Sequence, residues 1–553
     1  MPDSSPEISA KRLPIGGLLF MLAASLVLGM ALLSRFNGFK IYDDAYMFVR
    51  YADHLLAGHG LVWNIGEGPV YGATSLAYVF ALIPFRLLFP DNPAAALFSS
   101  SFFWGLTFLL LIFRMGLKTM QTPQGFKPYV AGLLFLTLLA AGSTLRAHLA
   151  SGMETTFVLS YLTLCLLNWE NLRIGKGNAW IVGILGGCAW WIRPDLLIFT
   201  WGVPMTVWVL EKGDNGLGVG KGLGREEERA GWLRVIFVTA AFTGIALFGA
   251  KMLTGAWLPL SFFAKSTSLY GPEFASQYRG LPMAEAMRFM GRIWPLAVLL
   301  GLGVYVKWPR LRTAYSAMDK AIFAAMLVFG VYFTFLVLQI MGFGQRFYYP
   351  LLPFLLYLGI RELLELPKNL ALGPGLQFKR IPHQVERIGT LALAGLLIYY
   401  GISFGINLKT AQMDSRFAVF NAKATYRAEL TDYWAHLDAL ENFPNDLEIA
   451  TTEVGMPAAL YPKRKIHDLA ALNNPKLLEA GLSAESVLKL CAADLIYMPH
   501  EHYVRFHTDL TRSKDFAARY VLFDAKTVKA SMGVAIRRDS PFAAELLHIF
   551  NAE

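Results

Sequence analysis

Apolar runs close to 20 residues long recur through most of this chain, and a helix of about 20 residues is what spans the hydrocarbon of a bilayer. They fall at 13–33, 70–89, 95–113, 129–149, 155–172, 178–193, 195–211, 232–254, 289–306, 319–341, 347–365 and 388–408. With 55% hydrophobic and 16% charged residues over 553 positions, the chain is too apolar for a soluble globular protein and reads as a mostly α, polytopic membrane protein. Its Lys and Arg gather in the short connections, the positive-inside pattern. The net charge of +10 therefore reflects membrane topology, and no nucleic-acid partner is expected.

Those charges also orient the chain. Lys11 and Arg12 precede the first run, and Leu32-Leu33-Ser34-Arg35 is a poor small-residue cleavage site, so that run is expected to stay as a first helix with its N-terminus in the cytoplasm. The connections at Arg173 and Lys176, 211–229, 307–312 and 368–387 read as cytoplasmic, which leaves everything after 408 outside. An inside start and an outside end require an odd number of crossings, so roughly eleven of the runs should span. The mismatch falls before residue 150, where Arg114, Lys118 and Lys127 ask for the inside: 70–89 or 95–113 is re-entrant, or two runs are mis-split. The glycines at 213, 216, 218, 220, 222 and 224 follow no strand, and Gly222 stands after Lys221 where a phosphate loop needs Ser or Thr. They form a flexible linker. Cys165, Cys188 and Cys491 have no paired spacing, which supports neither a disulfide framework nor a thiol metal site.

Beyond 408 the pattern changes. Charges become frequent and apolar stretches shorten, with strand signals at 447–452, 465–469, 494–498, 519–523 and 533–537 and helical signals at 426–440 and 484–490. Residues 1–408 are thus expected to form the transmembrane catalytic domain and 409–553 a soluble extracytoplasmic α/β domain.

Asp43 and Asp44 stand directly after the first run, at the outer surface, where ionised side chains meet water or a polar cavity. Aspartates there also suit the N-terminus of a helix. Phe48, Tyr51 and Leu55 share one face of a helix expected at 45–56, which suggests that it lies in the interface. Other polar clusters interrupt apolar runs: Ser151-Gly152-Met153-Glu154-Thr155 with Arg146 and His148 before it, Arg193-Pro194-Asp195, the 259–265 stretch ending in Lys265, and Gln345-Arg346-Phe347-Tyr348-Tyr349-Pro350. Arginine forks grip phosphate bidentately, lysine binds it as a point charge, and a carboxylate can take the proton of an attacking hydroxyl. Together these groups suit sugar transfer from a polyprenyl-phosphate whose tail stays among the membrane lipids. No zinc-peptidase motif is present, and two carboxylates offer too few oxygens for a hard cation, so neither a metal nor a cofactor is expected.

The stretch DDAYMFVRYADHLLAGHGLVWN at 43–64 resembles the first outer loop of the GT-C membrane glycosyltransferases, especially the AftB-type terminal β-(1→2) arabinofuranosyltransferases. SGMET, RPD, PLSFFAK and RFYYPLLPF look like later landmarks of that family, and the segment from Glu453-Val454-Gly455 through Tyr461 to His467-Asp468-Leu469 looks like its soluble domain. The resemblance implies a GT-C fold in a bacterial plasma membrane that moves arabinofuranose, with inversion, from a decaprenylphosphoryl-arabinose type of donor to a cell-envelope glycan acceptor. It implies Asp43 as general base and Asp44 as a partner that orients the sugar or the acceptor, an order that could be reversed. Arg193, Lys265 and Arg346 would bind the donor phosphate with Tyr348 as hydrogen-bonding neighbour, and Arg50, His54, His148, Glu154 and Asp195 are further candidate substrate contacts. The competing readings are mannosyl or aminopentosyl transfer to protein or lipid, and, from another class, a lipid-linked sugar transporter. For the C-terminal domain, Tyr461, Lys463, Arg464, Tyr497, His500 and Tyr503 suggest glycan recognition, with a structural cap as the alternative.

Overall fold

The computed structural model describes residues 41–119, 143–213, 224–266, 281–307, 314–337, 345–371, 439–499, 503–524 and 533–551. Among these residues three helices, Pro93–Gly116, Glu227–Thr254 and Ala317–Leu336, are long and apolar enough to cross a membrane. The helices Leu281–Arg292 and Leu296–Tyr305 make a fourth if the pair, bent by 84°, counts as one span. The runs at 13–33, most of 129–149 and 388–408 lie outside the described residues, as do the linker glycines from 216 to 222 and the 408/409 boundary, whereas Gly213 and Gly224 end and begin helices. The expected span at 195–211 is broken into a 3-10 turn at Pro194–Leu196 and helices at Leu197–Thr200 and Gly202–Gly213. Proline removes an N–H and fits the first turn of a helix, which is where Pro194 stands.

Five helices carry the site: α1 (Asp43–Leu56), α2 (Thr155–Arg173), α3 (Ala179–Ile192), α4 (Leu281–Arg292) and α5 (Leu352–Ala371). Helix α3 packs closely on Gly224–Thr254 because it presents glycines. A Cβ at Gly183 or Gly187 would lie 2.5 Å from Val238 Cβ or 2.3 Å from Phe242 Cβ.

All five strands expected in the C-terminal segment are present: β1 (Ile449–Thr451), β2 (Ile466–Asp468), β3 (Leu495–Tyr497), β4 (Tyr520–Phe523) and β5 (Val534–Arg537). They pair in the order β2-β1-β3-β5-β4, with β2, β1 and β3 parallel and β3, β5 and β4 antiparallel. The helix expected at 484–490 is there as Ala484–Leu490, whereas most of 426–440 lies outside the described residues. Alternation sends neighbouring strand residues to opposite faces. Ala450, Ile496 and Ala535 pack under the unit's own helices, while Ile449, Ile466, Leu495, Val534 and Ile536 share one apolar core with Ala45, Tyr46, Phe48 and Trp63.

That shared core corrects the reading of α1 as an interfacial helix. Its residues Ala45, Tyr46, Phe48, Val49, Arg50, Tyr51, Ala52 and His54 are all buried, so both faces are covered. Phe48 meets the edge of Tyr78 on the helix Leu76–Leu88 on one side, and Tyr51 packs on Trp63 on the other.

Candidate active site

Asp43 and Asp44 open α1, where carboxylates favour the positive end of the helix. Consecutive residues on a helix point about 100° apart, and here the two acids meet different partners. Asp43 faces the C-terminal unit: its Oδ2 accepts from Gly455 N at 2.7 Å and its Oδ1 from Met456 N at 2.9 Å, at the start of α6 (Gly455–Leu460). Gly455 allows this approach because a Cβ there would sit 1.8 Å from the Asp43 carbonyl oxygen. Asp44 turns the other way and pairs with Arg346, Oδ2 to Nη2 at 3.0 Å, with its side chain 24% exposed.

The rest of α1 is bolted to the C-terminal unit. Arg50 is fully buried and donates from Nε to the Trp63 carbonyl, from Nη1 to the carbonyls of Ala458 (2.9 Å) and Tyr461 (3.2 Å), and from Nη2 to Asn64 Oδ1 (2.9 Å) and the Arg464 carbonyl (2.8 Å). Its guanidinium also lies over the Trp63 ring. Burial pulls Arg50 down to about 9, and its hydrogen-bond acceptors are all neutral, four backbone carbonyls and the Asn64 amide oxygen. His54 sits with each ring nitrogen 2.8 Å from a carbonyl, Val62 on one side and Pro462 on the other, and burial with the nearby Arg50 charge lowers its pKa. Trp63 Nε1 donates to the Ile466 carbonyl, and Asn64 Oδ1 accepts from Ile466 N. Tyr51 OH donates to Asn473, whose amide donates to Asp468, and burial pushes that carboxylate up to about 6. Arg50 and His54 are thus parts of this joint. Their polar atoms are spent on it, which removes both from the set expected to contact substrate.

The remaining candidates converge beyond Asp44. The loop before α2 is drawn under α1 by Tyr42 N donating to the Ser151 carbonyl (3.1 Å) and Tyr78 OH donating to the Gly152 carbonyl (2.8 Å). Gly152, at φ +74, has room for no side chain, since a Cβ would lie 3.0 Å from Ala45, Ile41 and Leu97. This brings Glu154 within 4.0 Å of Arg193, which the break after α3 projects inward and which forks onto Asp195 at 3.0 and 2.8 Å. The Arg193 and Arg346 guanidinium groups both contact the Phe347 ring, 5.8 and 5.2 Å from its centroid. Arg346, Arg193, Asp44, Asp195 and Glu154 therefore form one charged cluster around Phe347, in which the two arginines and Glu154 are buried and the aspartates partly exposed.

Within it, some hydrogen-bonding capacity is unused. Arg346 Nη1 and Glu154 Oε2 are buried without a hydrogen-bond partner among the described residues. Such groups cost about 1–3 kcal/mol each when left unsatisfied and mark a place where a ligand gains by supplying them. Gln345, beside Arg346, holds left-handed backbone at φ +56, a strained conformation for a residue other than glycine.

Not every expected residue joins the cluster. Tyr348 donates its hydroxyl to the Pro282 carbonyl on α4 (2.8 Å), which directs it toward that helix, and His148 stacks edge-on against Tyr349 (4.5 Å between centroids). Lys265 lies on the helix Leu260–Ser266, and its side chain is outside the described residues. In the C-terminal unit, Arg464, Tyr497 and Tyr503 are buried, and the Arg464 guanidinium donates to the Leu440 carbonyl (2.7 Å). They form no exposed aromatic surface for a glycan; Lys463 is exposed, and His500 is outside the described residues. Trp63, Asn64 and Gly455 hold the joint, a role that no local pattern announced.

No protein-family model matches the chain, and neither does any curated protein. Among solved structures it is similar to ArnT from Cupriavidus metallidurans in the apo state, at 13% identity and a TM-score of 0.45 over 86% of this chain and 95% of that one. The same protein bound to undecaprenyl phosphate aligns at 13% identity and a TM-score of 0.48, over 96% of this chain and 99% of that one. Likeness at this level assigns neither a fold family nor an activity to this chain.

Proposed function

We propose that this chain is a membrane glycosyltransferase of the GT-C type, which takes a sugar from a polyprenyl-phosphate and joins it to a glycan hydroxyl. The observation that carries the reading is Arg346: one nitrogen holds Asp44, and Nη1 is a buried donor with no partner among the described residues, beside a second arginine on the same aromatic ring. A phosphate oxygen satisfies that donor, and the two cations offset the charge that collects on the leaving phosphate.

The geometry favours the reversed order of the two acids. Both oxygens of Asp43 accept backbone N–H bonds, which stabilise the carboxylate and make it a poor base. Asp44 pairs through Oδ2 and is partly exposed, so its other oxygen suits an acceptor hydroxyl. In the proposed step the acceptor oxygen attacks the anomeric carbon from the face opposite the phosphate. Its proton passes to Asp44, a new C–O bond forms, and the anomeric C–O bond to phosphate breaks with the electron pair leaving on polyprenyl phosphate. The configuration inverts. Arabinofuranose is the proposed sugar, on the likeness carried by the 43–64 stretch.

The phosphate site is tested by titrating decaprenyl phosphate into purified wild-type chain and Arg346→Ala. Truncation should weaken binding by about 10- to 100-fold, the worth of a charge-assisted hydrogen bond. Equal affinities would remove Arg346 from the phosphate site.

A further inference from the structure

Gln345 combines two features that the chemistry above leaves unused. Its left-handed backbone is fixed by a turn in which its carbonyl accepts from Tyr348 N at 2.8 Å. Its amide nitrogen donates to Glu285 Oε2 on α4, also at 2.8 Å, while Glu285 Oε1 holds Arg288. A carboxylate only accepts, so this contact settles which end of the amide faces α4 and leaves Oε1 as the opposite end. Gln345 Oε1 is buried and has no hydrogen-bond partner among the described residues.

Two consecutive residues therefore leave one buried acceptor, Gln345 Oε1, and one buried donor, Arg346 Nη1, open. A phosphate oxygen can satisfy the donor, but an ionised phosphate diester has no proton for the acceptor. A sugar hydroxyl does. A sugar joined to phosphate supplies both complements in one molecule, whereas the spent lipid phosphate, a monoester doubly ionised beside two arginines, presents only acceptor oxygens. The amide oxygen is then left unpaired, an asymmetry that a site built around hydrogen bonds turns into selectivity.

Resting on the lipid-phosphate reading of the site, we propose that Gln345 accepts a hydrogen bond from a hydroxyl of the donor's sugar and so makes the site favour sugar-loaded lipid over the polyprenyl phosphate product. The left-handed turn at φ +56 and the hydrogen bond to Glu285 together fix the amide, and backbone strain is a cost that persists where a site needs a fixed group.

The test compares decaprenylphosphoryl-arabinofuranose with decaprenyl phosphate on the purified full chain, for wild type, Gln345→Met and Gln345→Gly. Methionine keeps the length and removes the acceptor together with the amide donor to Glu285, and glycine accepts the left-handed backbone. Wild type should bind the sugar-bearing lipid about 5- to 30-fold tighter, and either variant should reduce that preference to about 1- to 3-fold while keeping its affinity for decaprenyl phosphate. The proposal is overturned if wild type shows no preference, if the preference survives in a folded variant, or if both affinities fall together. Failure of both variants to fold assigns Gln345 to the scaffold and overturns it as well. Failure of wild type to bind decaprenyl phosphate at all counts instead against the lipid-phosphate reading.

Discussion

Gly455→Ala is a one-carbon change that reaches the site through the joint. The added Cβ would lie 1.8 Å from the Asp43 carbonyl oxygen and 2.6 Å from its carbon, both backbone atoms that no rotamer can move aside. Restoring an ordinary contact, which begins at 3.4 Å, requires α6 and the start of α1 to separate by about 1.5 Å. The Gly455 and Met456 hydrogen bonds to Asp43, now 2.7 and 2.9 Å, then exceed any useful length. Hydrogen bonds to a charged group are worth about 1.5–3 kcal/mol each, so the joint loses about 3–6 kcal/mol before relaxation. Asp44 is the next residue on the same helix, and a displacement near 1 Å at a reacting group costs about 100-fold in rate. The assay pairs thermal unfolding of the detergent-purified protein with sugar transfer from a polyprenyl-phosphate donor. The expected result is a lower unfolding midpoint and a kcat reduced by about 100-fold. Wild-type stability and turnover in Gly455→Ala would refute the idea that the C-terminal unit sets the position of the acids.

Asp43→Asn should lower the unfolding midpoint more than Asp44→Asn does, because an amide offers one acceptor to two backbone donors; equal midpoints would count against the capping role. Burial raises Asp468 from its ordinary 3.8 to about 6, so its contribution to stability is fully present below the ordinary value and is lost as pH rises through about 6. Wild type should therefore lose stability relative to Asp468→Asn as pH rises from about 4 to about 6.5, and a difference in midpoints that does not change with pH would contradict this.

Much of the architecture was legible because it follows from local pattern. Short aliphatic stretches bounded by charges marked all five strands, and long apolar runs marked the helices around Pro93–Gly116, Glu227–Thr254 and Ala317–Leu336. The two acids and the Arg193 and Arg346 motifs stood out as polar interruptions of apolar sequence, and the fold brings Asp44, Arg193, Asp195, Glu154 and Arg346 into one cluster. What escaped is non-local. A buried arginine that feeds five acceptors looks, in sequence, like any basic residue on an amphipathic helix, and the partners of Arg50 at Ala458, Tyr461 and Arg464 lie about 400 residues away. For the same reason α1 read as half exposed: the sheet that covers its second face is encoded at the other end of the chain. The positive φ of Gln345 was invisible because glutamine carries no signal for left-handed backbone.

The most direct measurement is transfer itself. Purified full chain is given decaprenylphosphoryl-arabinofuranose, radiolabelled in the sugar, and an arabinan acceptor, for wild type, Asp44→Asn and Asp43→Asn. The proposed chemistry requires wild type to release one decaprenyl phosphate for each sugar incorporated, with inverted linkage. Asp44→Asn should bind the donor normally and lose about 100- to 10,000-fold in turnover, the share a positioned base supplies. Near-normal turnover by Asp44→Asn, or release of decaprenyl phosphate by wild type with no sugar joined to the acceptor, would contradict it.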